Sequence, residues 1–533
     1  MRRKVALILS IMVLGVLAAC GKTTTKVDSS LNVAVTDQLG TLDSTKYSDT
    51  FSVEAIQNVY EGLYTYNQKN KPVLAAAKSV STNDAKTVYT YKLRDEKWSN
   101  GTAVTANDFV YAWQKLANPK TASPNSQRID ILKNGYDIRN GKMAVNELGV
   151  KAIDKTTLEV TLAQPISYLP EVLTGAPFVP QNEAYVKKQG DKYGTDSKHM
   201  IVNGPYKLTD WTGTNNKWSY VKNTDYWNAK SVKLTQVDVQ VVKDGATAGK
   251  LYQTGKIDFS MLANDYVKQY KNEKGFATRK TPLIGYLGFN TKREATGNKH
   301  IRKALAIGFN KSSLASKILN DGSSELNGIV PANFVSNPVN GKDYRQEAGD
   351  LLAFNKKEAK AEWEKGLKEI GKKGLTIEIL GSDTPEAKQV IEYLQAQLES
   401  NLPGLTINAR NIPIKSRLAA TTAYQFDVVY GTWTPDYADP INFISDGGAY
   451  HLSTDYKNAQ YLKDLDQAKN DFATNPTKRW ASLIDAEKQI VGEDAYMVPV
   501  FQGAMAYLLN PDIAGIHINP YGTTLFYRDM TIK

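Results

Sequence analysis

Asp436 is the side chain in this sequence best placed to act on a charged partner. It stands in the stretch Phe426-Asp-Val-Val-Tyr-Gly-Thr-Trp-Thr-Pro-Asp-Tyr-Ala-Asp-Pro-Ile-Asn-Phe443, where a β-rich apolar run ends in an aromatic and then presents a carboxylate. Phe426 to Trp433 reads as a buried strand, and Thr434-Pro435 stops the pairing and turns the backbone. A carboxylate just past the carboxyl end of a strand occupies the position at which open α/β sheets hold ligands. Trp433 and Tyr437 flank it and would keep water away, which strengthens a contact with a cation. The other reading of the same residue is a turn aspartate that caps its own backbone.

Catalytic groupings are absent from the sequence pattern. Asp439 is near enough to Asp436 for paired-acid chemistry, but it precedes Pro440 and reads as a turn residue. His199, His300, His451 and His517 lie far apart, without the His-Glu-x-x-His spacing of a zinc site. There is no Gly-x-Ser-x-Gly elbow, and Gly141-Lys142 and Gly341-Lys342 lack the rest of a phosphate-binding loop. Cys20 is the only cysteine, so no disulfide, Cys-x-x-Cys pair or thiolate cluster can form within the chain. The expectation is a binding protein with no cofactor and no metal, with an envelope hydrolase as the alternative from a different class.

The elements that must position Asp436 begin after a targeting segment. Met1-Arg-Arg-Lys4 is a basic start, Val5 to Ala19 an apolar run of fifteen residues, too short to span a bilayer comfortably, and Leu17-Ala-Ala-Cys20 closes it. Residues 1–19 therefore read as a signal peptide, Cys20 as a lipidated N-terminus and residues 20–30 as a flexible tether. The formal net charge is +11, and +8 without Arg2, Arg3 and Lys4. It is scattered rather than striped, which fits an anionic cell envelope better than nucleic acid. About 500 further residues exceed one core and predict two or three domains.

Leu31 to Val35, Thr87 to Leu93, Leu158 to Leu162 and Val237 to Val242 alternate as strands, and Gly285 to Asn290 is extended. Phe51 to Tyr60 and Ala246 to Gln253 read as helices, and Ile301 to Leu319 has one continuous helical period. Thr105 caps a helix with Asp108 three residues on, and Phe109, Trp113 and Leu116 share its core face. Asn355 with Glu358, and Thr384-Pro385, start two more helices that alternate with the strands Leu375 to Ile379 and Leu405 to Ala409. That β-α-β order predicts a sheet with helices packed on it.

Several short pieces follow one another in a specific order: Tyr60-Glu-Gly-Leu63, Trp98-Ser-Asn-Gly-Thr102 with Thr105 to Trp113, Asn118-Pro-Lys-Thr-Ala-Ser-Pro124 and Asn203-Gly-Pro-Tyr206. Tyr226-Trp227-Asn228, Gly255-Lys-Ile-Asp258, Ile301-Arg-Lys-Ala-Leu305 and Trp433 to Pro440 complete the set. Over essentially the whole mature chain this resembles the oligopeptide-binding component of bacterial ABC importers, extracellular solute-binding protein family 5. The resemblance implies an α/β, two-lobed, periplasmic-binding-protein-like fold with two crossover hinges and an extra subdomain inserted in the N-terminal lobe. On that frame lobe I is 31–60, 187–285 and 505–533, the inserted subdomain 61–186 and the ligand-anchoring lobe 286–504, with crossovers near Gly285 to Asn290 and Val498 to Ala506.

The function implied is capture of short extended peptides and delivery to the membrane permease subunits of an importer. Asp436 would hold the peptide α-ammonium beside Trp433, within a site that includes Tyr286, Tyr430, Gly431, Thr432, Thr434 and Tyr437. The peptide would also run along the backbone near Ser48, Asp49 and Thr50. The chain would act as a monomer held by its N-terminal lipid at the outer face of the cytoplasmic membrane, in a Gram-positive bacterium, without nucleic acid. The sequence departs from enterobacterial relatives at Tyr430, where they carry an arginine, at Ile414, where they carry a tryptophan, and at Asn125, where a tyrosine is common. A signalling-peptide receptor of the same fold, or a carrier of a nickel chelate, heme or a sugar, are the alternatives within the family.

Overall fold

The computed structural model describes residues 29–263, 265–445, 456–519 and 525–533. Eleven strands join in one large sheet that serves two separate cores. The first core gathers residues from Leu31 to Phe259 and from Tyr507 to Met530, and the second gathers Ile284 to Phe501. Two long antiparallel strands, Phe276–Phe289 and Met497–Leu509, pass from one core to the other. Their ladder breaks where Lys280 pairs with Ala504 and Ile284 with Gln502, so that Thr281, Pro282 and Leu283 face Gly503 alone. Pro282 lacks the amide that a ladder needs, and an unmatched run of this kind lets paired strands bend. A second register shift follows between Gly285 and Tyr286, opposite Phe501 and Pro499, so the irregular stretch runs from Lys280 to Tyr286 on one strand and lies inside Val498 to Ala506 on the other.

In the second lobe, Leu405–Ile412, Leu375–Ser382 and Val428–Trp433 lie parallel and in that order, ending on Phe276–Phe289. The helices between them start as their sequences dictate. Asn355 accepts the amide of Glu358 ahead of Lys356–Glu369, and Thr384 accepts the amide of Ala387 ahead of Pro385–Asn401. The helical period over Ile301 to Leu319 is not one helix. Lys299–Ile307 ends at Gly308, Asn310 caps a new start through the amide of Ser313, and Leu314–Leu319 is wound more loosely. The strand expected from Phe426 is paired only from Val428.

In the first lobe, Ser30–Val35 pairs parallel with Gln236–Val241 and Phe259–Leu262. A separate four-stranded sheet, containing Ala77–Thr82, Val88–Leu93, Thr157–Thr161 and Val150–Asp154, packs with the capped helix Ala106–Ala117. Phe109, Trp113 and Leu116 on that helix are fully buried. Three of the ordered sequence pieces meet in this lobe. The side-chain carbonyl of Asn203 accepts the amide of Glu61 at 3.0 Å and its amide group donates to the Glu61 carbonyl at 2.9 Å. The indole of Trp227 donates to the Glu61 carboxyl at 2.5 Å, and the Tyr226 hydroxyl donates to its other oxygen. Burial raises the pKa of this carboxyl.

Candidate functional site

Among the described residues the strand Val428–Trp433 has one open edge. Its antiparallel partner follows it throughout, from Phe289 opposite Val428 to Ile284 opposite Trp433. Its parallel partner pairs only at Val428 and Val429. From Tyr430 onward the second edge is available for another extended chain. Side chains alternate about this edge. Tyr430 turns into the second core and donates to Glu386 at 3.0 Å. Gly431 lies under the Tyr286 ring, where an added Cβ would meet the ring at 2.8 Å. Thr432 is exposed, Thr434 half-buried, and Trp433 half-buried against the core with its indole nitrogen enclosed and unpaired.

Past the strand, residues 434–440 bring a carboxylate and an aromatic ring to the first lobe and a second carboxylate to a partner within the second lobe. Asp436 does not cap its own turn. Its carboxylate accepts from the Arg128 guanidinium at 2.5 Å, across 308 positions of sequence, with side-chain exposures of 35% and 25%. Arg128 stands on the short helical segment Ser126–Ile131, and a small cavity of about 170 Å³ beside the pair is lined by Tyr47, Asn125 and Glu171 among others. Burial pushes the Tyr47 hydroxyl up, with Arg128 opposing and Asp436 adding to the shift. Tyr437 stacks on Tyr168 with centroids 4.7 Å apart and planes 5° from parallel. Asp439 is buried, accepts two hydrogen bonds from Arg479 at 2.8 Å and a third from the Ile441 amide at 3.0 Å in its own turn, which leaves it engaged away from Asp436.

Asp49 caps the helix Thr50–Val59, accepting the Ser52 amide at 2.7 Å and the Ser52 hydroxyl at 2.6 Å. Ser48 and Thr50 are exposed at this helix start, directly after Tyr47 of the small cavity. On the other side of the 434–440 loop a far larger cavity, about 1370 Å³, lies between the lobes against the hinge break, with Tyr168, Thr281, Phe334, Ala438, Arg479 and Gln502 in its walls. Among the described residues no group of three or more His, Cys, Asp or Glu side chains could hold a metal ion. Cys20 and His451 lie outside the described residues. Arg128, Tyr168 and Arg479 escape a sequence reading because each is far along the chain from its partner. The nearest sequence signal for Arg128 is its place just after the Asn118 to Pro124 piece.

Two lobes hung on two continuous strands, facing each other across cavities with ionic and aromatic contacts between their walls, define a binding protein that encloses its solute. Residues 71–449 match the bacterial extracellular solute-binding proteins, family 5, and the chain belongs to that family. It is 31% identical over 539 aligned positions to the dipeptide-binding protein of Lactococcus lactis subsp. cremoris, covering 97% of each chain. The structure of Listeria monocytogenes OppA bound to peptide is 39% identical with a TM-score of 0.75, covering 95% of this chain and 99% of that one. The pheromone receptor PrgZ is 34% identical with a TM-score of 0.76, covering 95% of this chain and 100% of that one.

Proposed function

We propose that this chain captures short peptides in extended form outside the cytoplasm and hands them to the permease of an ABC importer. The observation that carries this reading is the open edge of Val428–Trp433 leading directly to Asp436. Peptide N–H and C=O groups are the same in every sequence, so an edge that pairs with them accepts many peptides, while a carboxylate at its end fixes where the chain begins. Thr432 and Thr434 flank the edge, and Trp433 and Tyr437 exclude water around the ammonium. Tyr286 and Tyr430 support the strand from its two faces, and Ser48, Asp49 and Thr50 present backbone from the opposite lobe. Relatives named for dipeptides, a bound peptide or a pheromone support the ligand class. Lipidation of Cys20 would hold the protein, as a monomer, at the outer face of the cytoplasmic membrane.

Calorimetry on four combinations tests the anchor: wild type and Asp436→Asn, each with a free and an N-acetylated peptide. Loss of one partner of an enclosed charge pair costs about 2 to 5 kcal/mol. Groups in direct contact give strongly non-additive penalties, and additive penalties would remove Asp436 from the site.

A further inference from the structure

The walls of the large cavity carry more charge than holding a peptide backbone requires. Lys69, Lys71, Lys86, Lys280, Lys342 and two arginines line it, against the three carboxylates Glu171, Asp343 and Asp439. Two of those carboxylates are already engaged. Asp439 is closed by Arg479, and Asp343 accepts the amides of Asn333, Arg345 and Gln346 at the start of the helix Tyr344–Ala348. The third, Glu171, has its pKa pushed up to about 7, burial being the largest cause. None of the five lysines is held in an ion pair among the described residues. Among the described lining residues positive charges exceed negative ones by four, against the +8 of the whole sequence without Arg2, Arg3 and Lys4.

The lysines come from both lobes and the hinge. Lys69 and Lys71 stand in the turn between Tyr64–Tyr66 and Pro72–Leu74, and Lys86 in the turn between Ala77–Thr82 and Val88–Leu93. Lys280 is the last paired residue before the ladder breaks, and Lys342 precedes the helix Tyr344–Ala348 of the second lobe. A cleft walled by one sign of charge focuses its field and raises the local concentration of opposite charge, by 10-fold to 1000-fold in rate by general experience, roughly. We propose that this cavity is a subsite for anionic side chains, and that the peptides this protein prefers are acidic beyond their first residues. The proposal rests on the peptide reading given above, with the N-terminus at Asp436 and the cavity across the 434–440 loop.

Three peptides of one length and a free N-terminus, carrying Glu, Gln or Lys at every position after the second, test it by calorimetry at low and high salt. The Glu peptide should bind roughly tenfold tighter than the Gln peptide at low salt and the Lys peptide more weakly, with the spread shrinking as salt rises. The triple variant Lys71→Gln, Lys280→Gln, Lys342→Gln should collapse the spread. The triple Lys187→Gln, Lys360→Gln, Lys488→Gln removes the same charge from exposed i,i+4 and i,i+3 pairs elsewhere and should preserve it. All six lysines are exposed, so neither triple disturbs a core. Equal affinity for the three peptides, or equal collapse in both triples, overturns the subsite while leaving the peptide reading standing. Failure of even the Gln peptide to bind overturns the peptide reading and the subsite with it.

Discussion

Arg128→Met should tighten binding of peptides that have a free N-terminus. Arg128 donates to Asp436 at 2.5 Å, so a peptide ammonium must either displace the guanidinium or share the carboxylate with it. Both routes cost affinity. At an effective dielectric constant near 20, two unit charges 4 Å apart attract by about 4 kcal/mol. With a quarter to a third of each side chain exposed, solvent and the entropy of fixing two long side chains reduce the net worth to about 0.5 to 1 kcal/mol. Removing the competitor should therefore lower Kd by roughly twofold to fivefold, since about 1.4 kcal/mol corresponds to tenfold. Methionine keeps much of the apolar stem, so packing against the neighbouring segment is retained. Calorimetry with a free peptide and its N-acetylated twin reads the effect: the gain should appear for the free peptide only. An equal gain for both peptides, or a selective loss for the free one, would refute the view that Arg128 and the ligand compete for one carboxylate.

Asp439→Asn should destabilise the second lobe by about 3 to 5 kcal/mol in urea unfolding, because it leaves Arg479 buried without its counter-charge. The double variant Asp439→Leu, Arg479→Leu should recover much of that loss, and an unchanged midpoint in the single variant would contradict the pairing. Glu54, wholly buried under Tyr527 and Leu525, has its pKa pushed up to about 7 by burial. Its protonated form stabilises the fold fully below about 4.5 and that contribution is lost as pH rises through about 7. The stability difference between wild type and Glu54→Gln should therefore move against the wild type across that window, and a pH-independent difference would exclude it. Cys20→Ala should release the protein from membranes into the medium without changing its unfolding temperature, and a membrane-bound variant would point to another anchor.

What the sequence made legible was local. Thr105 with Asp108 forms the reciprocal cap expected of that spacing, and the aromatic face of the helix it starts is core. The β-α-β run from Leu375 to Trp433 forms the parallel strands its alternation implies. Where the same rules failed, a nearby residue outweighed the period. Apolar spacing over Ile301 to Leu319 continues through Gly308 and Asn310, yet an asparagine that can hold the Ser313 amide restarts the chain there. Of the ordered motif pieces, Trp433 to Pro440 reaches the cavities, while three others hold the first lobe together. Glu61, Asn203, Tyr226 and Trp227 bond to one another inside the first lobe, and none of them lines either cavity. The contacts that shape the site, Arg128 with Asp436, Tyr168 with Tyr437 and Arg479 with Asp439, join residues 40 to 308 positions apart. No window-based pattern spans such distances.

The route of the chain through its two cores also sets an order of assembly. The first core needs Tyr507, Leu525 and Tyr527, and Glu54 and Asn58 near its start receive bonds from or give bonds to Leu525 and Tyr527. A growing or translocating chain therefore presents the opening strand and the helix Thr50–Val59 long before their closing partners exist. The second lobe, whose buried core residues among those described run from Ile284 to Phe501 with Tyr168 alone added at the rim from the first lobe, can finish first. Domains that fold as units while chain is still arriving would here mature from the inside of the sequence outward. Removing residues 525–533 should then leave the second lobe folded and the first trapped as a collapsed, exposed intermediate, the form on which secretion chaperones and proteases act.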